Sequence, residues 1–172
     1  KIDKVERNYG KSDLHIHIAI APTKMNERFE WFLEKSTEIG INEITPIICE
    51  HSERKVLKLE RMNKILVAAM KQSKQAYLPK LNAAVSFDSF VSNNTVEERY
   101  IAHCIENDDK KQLKEVIKKG ADTLVLIGPE GDFSPKEIDH ALKHGFSAVS
   151  LGKNRLRTET AAIVSCHTIN LI

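Results

Sequence analysis

Apolar and polar positions along this chain alternate between two periods. LHIHIAI (14–20) alternates and is β-branched, which predicts a strand that Pro22 ends. Phe29, Phe32, Leu33, Ser36 and Ile39 recur at helical spacing, predicting a helix over 26–39 with Gly40 at its stop. ITPII (44–48) reads as a short buried strand. A longer helix is predicted over 56–75. Leu59, Met62, Leu66, Ala69 and Met70 share one arc of roughly 100°, and Arg61, Lys64, Lys71 and Lys74 lie opposite. Pro79 stops that helix. A short helix near 86–91, a strand at RYIAHCI (99–105) and a helix over 108–119 follow. TLVLI (123–127) has no polar break, as expected of a strand covered on both faces. Ser134-Pro-Lys-Glu137 has the spacing of a capping box with Pro at the first helical position. Ile138, Ala141 and Leu142 give that helix its apolar face, and Gly145 ends it. FSAVSL (146–151) is another strand, and Thr158 is the expected cap of a last helix. Because that helix is apolar over much of its circumference, it is expected to be buried.

Strands alternating with helices predict an α/β fold with a mostly parallel sheet between helix layers. Residues 1–13 are polar and aperiodic, so they read as a tail or linker before one domain over 14–172. The 172 residues, 41% hydrophobic and 29% charged, suit a globular domain with a real core. Cys49, Cys104 and Cys166 lie far apart with no CxxC pair, which argues against a zinc ribbon or a disulfide framework and favours a reducing, cytoplasmic setting. No apolar run approaches the length of a membrane span, and KIDKVERNYGK lacks the apolar block of a signal peptide. A chain beginning at Lys1 is expected to be part of a longer one.

Net charge is only +2, but its distribution is uneven. Residues 51–80 hold eight Lys/Arg against two Glu, and 97–140 hold seven Lys/Arg against eleven Asp/Glu. A basic block in a near-neutral chain points to a polyanion patch or to a solvated helix face.

Ligands of open α/β sheets collect at the carboxyl ends of the strands. Two loops there stand out: IGPEGDFSPKE (127–137) and LGKNRLRTETAA (151–162). Neither matches a nucleotide fingerprint, and Glu130 and Asp132 would repel phosphate. Main chain from two such loops can hold an uncharged ring by its hydrogen-bonding edges. An ordinary strand–helix turn remains the alternative for GPEG.

These segments together carry a resemblance. Glu34-Lys-Ser-Thr-Glu-Ile-Gly-Ile41, Gln72-Ser73, Ile127-Gly-Pro-Glu-Gly131 and Leu151-Gly152 followed by Leu156-Arg157-Thr-Glu159-Thr160-Ala161 occur in the order found in the ribosomal small subunit methyltransferase E family. The chain resembles that family over nearly all of 14–172. The resemblance implies a SPOUT-type α/β domain with a deep C-terminal trefoil knot. It implies methylation of N3 of a uridine in small-subunit ribosomal RNA, with S-adenosyl-L-methionine as methyl donor. It also implies a homodimer through the knot and the C-terminal helix, and no metal or membrane. Another RNA target (a transfer-RNA base or a ribose 2′-hydroxyl) and a non-catalytic RNA-binding module are the competing readings. Family members carry an N-terminal RNA-binding domain resembling PUA domains, of which residues 1–13 would be the remnant.

By the same resemblance, cofactor contacts are expected from Ile127, Gly128, Pro129, Glu130, Gly131, Leu151, Gly152, Leu156, Arg157 and Thr160, with His103 and the loop after RYIAHCI closing a third side. Arg157 would stabilise charge developing on the uracil. Glu159 would accept the N3 proton or orient Arg157, or the two would be a structural pair; Glu130 is the alternative base. Arg54, Lys55, Arg61, Lys64, Lys71, Gln72, Ser73, Lys74 and Arg155 are the expected RNA contacts, holding phosphates around an extruded base. Three positions depart from the family pattern: Asp132 replaces a second glycine, Gln75 an arginine, and His51 the arginine of Glu-Arg-Ser.

Of the remaining residues, His140 and His144 have zinc-compatible i, i+4 spacing but no evident third ligand, and fit better as helix C-terminal histidines. His15 and His17 suit a sheet edge or surface, Ser134 a cap rather than a nucleophile, and Trp31 a packed or interfacial position.

Overall fold

Ile16–Ile20 forms β1, with all five residues buried. Only a strand covered by helices on both faces accommodates that pattern. There follow α1 (Asn26–Ile39), β2 (Glu43–Ile48), α2 (Leu59–Gln72), the two-residue strands β3 (Lys80–Leu81) and β4 (Val85–Ser86), α3 (Phe87–Asn93), β5 (Glu98–Ala102), β6 (Lys111–Gln112), α4 (Leu113–Val116), β7 (Thr123–Ile127), α5 (Pro135–Lys143), β8 (Ser147–Ser150) and α6 (Thr158–Asn170). The computed structural model describes residues 2–10, 12–105 and 110–172.

Every strand pairing among the described residues is parallel, in the order β3-β2-β1-β7-β5-β8-β6, with β4 also beside β2. β1 lies inside the sheet between β2 and β7, with Ile18 opposite both Ile44 and Val125. Alternate side chains divide the core. Ile16, Ile18, Ile20, Ile44, Val125 and Ile127 pack under Phe29, Phe32, Leu33, Met62, Leu66, Cys166 and Ile169 of α1, α2 and α6. Ala19, Ile47, Ile101, Leu124 and Leu126 face Phe87, Val91, Ile138 and Ala141 of α3 and α5. The result is the three-layer α/β fold expected from the sequence, and α6 is largely buried.

Several local expectations are corrected. The helix predicted over 56–75 spans only Leu59–Gln72, because Lys58 supplies no side-chain cap and Lys74 takes a left-handed φ of 57°. The helix predicted over 108–119 is the single turn Leu113–Val116, and its expected start at 108 lies outside the described residues. The Tyr100 hydroxyl donates to the Val116 carbonyl at 3.0 Å, and Lys118 pairs with Glu98. The chain there is tied to β5 instead of coiling on. Thr158 lies inside α6, whose cap position is Arg157. His17 is not at an edge. β1 pairs on both sides, and the ring is buried, 2.8 Å from Thr45 Oγ1 and edge-on to Phe90. Burial holds its pKa down to about 4, despite the opposing charge of Glu43. Trp31 is 46% exposed on α1 and so is not a core aromatic within the chain. His140 contacts Ser92, and the His144 ring nitrogen Nδ1 donates to the His140 carbonyl.

Candidate active site

The loops after β1, β2, β5, β7 and β8 meet at the carboxyl edge of the sheet, where a parallel α/β domain gathers its ligands. After β7 the chain makes a tight turn that the Asp132 N–H closes onto the Pro129 carbonyl at 2.9 Å. Gly128 is required there, since a Cβ would lie 3.1 Å from the buried Phe133 ring. At Gly131 a Cβ would lie 3.1 Å from His51 Cβ. Both glycines therefore serve the packing of the turn itself. Asp132 stands at φ 65°, a left-handed conformation tolerated by few side chains. Its Oδ1 accepts from the Phe133 N–H and its Oδ2 from the Cys104 N–H, each at 2.8 Å, so it ties the β5 loop to the β7 loop. His51 Nδ1 donates to the Asp132 carbonyl at 3.0 Å. Two of the departures from the family pattern thus meet in space. The capping box is present, and Glu137 Oε1 also accepts from the Glu50 N–H, fastening the β2 loop to α5.

After β8, Ser150 Oγ donates to the Gly152 carbonyl and accepts from the Gly152 N–H. Gly152 has φ 134°, outside the range of ordinary side chains. Downstream, the main-chain N–H groups of residues 153–157 find no acceptor among the described residues. They are available to a ligand.

Two adjoining cavities open between these loops. One, of about 300 Å³, is walled by Ala102, Ile127, Gly128, Pro129, Leu156 and Ala161, with Glu130, Asp132, Arg155 and Arg157 as its charged groups. The other, of about 520 Å³, runs along Val149–Leu156 beside His103 and Lys110; its charged groups are Lys110, Lys153 and Arg155. They share Ala102, Cys104, Arg155, Leu156 and Ala161. Both lie within the size range of small-molecule sites, about 300–1,000 Å³. Burial, then Lys110, lowers the His103 pKa; burial, then Asp132, raises that of Cys104.

Of the residues expected at the cofactor, Ile127, Gly128, Pro129, Glu130, Leu156 and Arg157 line the first cavity, and His103, Leu151, Gly152 and Leu156 the second. Gly131 and Thr160 line neither. Ala102, Asp132, Lys110 and Ala161 were not among the expected contacts, although Asp132 and Ala161 lie within the two loops the sequence singles out. Glu130 Oε1 accepts from the Lys24 N–H at 3.0 Å, which joins the β1 and β7 loops. Arg157 is exposed at the rim. Glu159 is buried and pairs with Arg28 of α1 at 3.8 Å, rather than with Arg157.

The basic arc is partly answered from within the chain. Arg54 donates to the carbonyls of Thr23 and Lys24, Arg61 pairs with Glu30 and Lys64 with Glu60. Ser73 Oγ donates back to Ala69. Gln75 donates to the last carbonyls of α1, at Thr37 and Glu38, capping that helix. Lys55, Lys71, Gln72 and Lys74 remain exposed. Among the described residues no cluster of His, Cys, Asp and Glu could hold a metal ion, and no helix is long and apolar enough to cross a membrane.

The profile of the RNA methyltransferase domain matches residues 10–170. A ribosomal RNA small subunit methyltransferase E from Mesomycoplasma hyopneumoniae is 32% identical over 94% of this chain and 71% of its own length. The structure of a protein described as a probable rRNA-methyltransferase from Porphyromonas gingivalis superposes with a TM-score of 0.86 at 45% identity, covering 91% of this chain and 68% of that one. A ribosomal RNA small subunit methyltransferase E from Neisseria gonorrhoeae, bound to S-adenosyl methionine, gives 0.79 at 27% identity over 92% and 66%. The chain spans 54% to 71% of the length of the relatives from M. hyopneumoniae, Buchnera aphidicola and Synechocystis.

Proposed function

The chain belongs to the RNA methyltransferase domain family, within its ribosomal RNA small subunit methyltransferase E group, and from that premise we propose that it methylates N3 of a uridine in small-subunit ribosomal RNA using S-adenosyl-L-methionine. The observation that carries this reading is the twin cavity between the β7 and β8 loops, with apolar walls and unpartnered main-chain N–H groups beside it. Those features suit a flat, hydrogen-bonding ring and its ribose. Ile127, Gly128, Leu151 and Leu156 would hold the cofactor, which supplies an electrophilic methyl group when bound.

The protein's own part is positioning and charge. Attack from uracil N3 requires that N3 lose its proton. In this reading Glu130 takes it: its carboxylate is exposed, lies on the first cavity wall, and is steadied by the Lys24 N–H. Arg157, on the same wall, offers its fork of donors to a uracil carbonyl as negative charge grows there. Lys55, Lys71 and Lys74 meet the flanking phosphates, which position the strand without reading its sequence.

The knot belongs to the same proposal. It is supported by the insertion of β7 between β1 and β5, and by the return of α6 onto β1, β7 and α1. So does a homodimer through the knot and the C-terminal helix, supported by exposed Leu171 just past α6 and Trp31 on α1 and to be checked by light scattering. Residues 1–13 are read as a linker from an RNA-binding domain, in keeping with the chain's partial coverage of its relatives.

The test is to incubate the chain with unmodified small-subunit RNA and S-adenosyl-L-methionine, then digest the RNA and identify nucleosides by mass spectrometry. 3-Methyluridine is the expected product. A 2′-O-methylated nucleoside, or cofactor binding with no transfer to any RNA, would overturn the assignment.

A further inference from the structure

Glu159 is one of three described residues with a buried side-chain polar atom that has no hydrogen-bond partner. Its side chain is 7% exposed in the seam between α1 and α6, and Oε2 is buried with no hydrogen-bond partner. Oε1 faces Arg28 Nε at 3.8 Å, an ion pair too long to be a hydrogen bond. A buried carboxylate is tolerated when a cation answers it, and Arg28 is that cation. The Arg28 side chain is 37% exposed, and its guanidinium makes no hydrogen bond to any described residue, so its donors are unspent.

Neither Arg28 nor Glu159 lines the first cavity, but the chain on either side of Glu159 does. Arg157 and Thr158, the residues just before Glu159, line that cavity, as does Ala161 one half-turn on. Lys24, in the loop four residues before Arg28, donates its main-chain N–H to Glu130 on the same wall. A proton acceptor must come within hydrogen-bond reach of its substrate, and Glu159 lies behind Arg28 with almost no surface of its own. The group that faces outward is the arginine.

Resting on the uridine-N3 reading, we propose that Arg28 is a second cationic donor to the target base, and that Glu159 is the positioning residue holding it, not the base of the reaction. The chemistry asks for two such donors. When N3 gives its proton to Glu130, the electron pair left on N3 is shared with the two carbonyl oxygens that flank it. Arg157, from the β8 loop, answers one; Arg28, from α1, answers the other.

The test compares Arg28→Ala, Arg28→Lys and Glu159→Gln with the parent chain. Cofactor affinity is read by calorimetry, and kcat and KM on small-subunit RNA across pH. Arg28→Ala is expected to lower kcat about 100-fold, the cost of one removed oxyanion donor, with the cofactor Kd and RNA KM nearly unchanged. Arg28→Lys recovers part of the rate, since it keeps charge without the fork. Glu159→Gln keeps the shape of the pH profile and lowers kcat by less. The proposal fails if Arg28→Ala acts through KM alone, or if Glu159→Gln abolishes the pH dependence of kcat, the mark of a base. It also fails if neither Arg28 variant binds cofactor, since the pair would then be a structural tie. A parent chain that binds cofactor yet methylates no uridine would instead sink the functional reading itself.

Discussion

Asp132 shows how much one side chain can reorganise. It occupies a left-handed position where glycine would be unstrained, yet it contributes two hydrogen bonds that glycine could not. Strain of this kind costs about 1 kcal/mol, and a hydrogen bond to a charged acceptor returns roughly 1.5–3 kcal/mol. Asp132→Gly gives up both strain and bonds, so its unfolding free energy should fall by about 2–5 kcal/mol. Asp132→Ala keeps the strain and loses the bonds, and should fall further. Both should weaken cofactor binding by freeing the Cys104 loop, which urea unfolding and calorimetry would measure side by side. Equal stability of the two variants would remove strain from the account. At this scale the sequence was partly informative. Gly128 and the odd Asp132 stood out as letters, whereas the link from Asp132 to Cys104 and the pairing of Arg28 with Glu159 join distant segments and leave no trace in spacing.

At the level of elements, legibility followed the locality of the signal. α1 and β7 appear where periodicity put them, because both are set by their own apolar residues. α5 was announced by its cap, and the cap makes a quantitative expectation possible. Ser134→Ala removes the acceptor for the Glu137 N–H and should cost about 1 kcal/mol. Glu137→Ala removes acceptors for the N–H groups of both Ser134 and Glu50, and should cost more while loosening the β2 loop from α5. Chemical denaturation of the two variants gives the order; a smaller loss for Glu137→Ala would mean that the Glu50 tie contributes nothing. The stretch after β5 departs from its predicted helix for the opposite reason. Nothing local at 113–119 says that Tyr100 will take the Val116 carbonyl or that Glu98 will hold Lys118.

For the molecule as a whole, strand order was the hidden variable. α/β class and parallel pairing follow from alternating elements, but the interior place of β1 does not, and it decides the fate of His17. A ring expected at the surface is enclosed and neutral, with its pKa near 4. The unfolded chain takes up that proton near pH 6.5 and the folded chain does not, so stability should decline as pH falls from 6.5 toward 4. Linkage puts the loss at about 2 kcal/mol by pH 5. Glu43 extends the trend at lower pH. Burial would raise its pKa, but hydrogen bonds from Asn82 and Lys80 and the neighbouring His17 and His15 bring it to about 2, so its contribution fades between 4.5 and 2. Unfolding titrations of the parent and His17→Asn at pH 7 and 5 test this. The variant should have the flatter profile, and parallel profiles would assign the acid sensitivity elsewhere.

The sheet's outermost strands, Lys80–Leu81, Val85–Ser86 and Lys111–Gln112, are only two residues long, and two of them begin with an exposed lysine. Such borders give another polypeptide too few free amides to register against and meet it with positive charge. A domain whose interior is rich in isoleucine, leucine and valine is thereby kept from zipping into fibrils with its neighbours at high concentration.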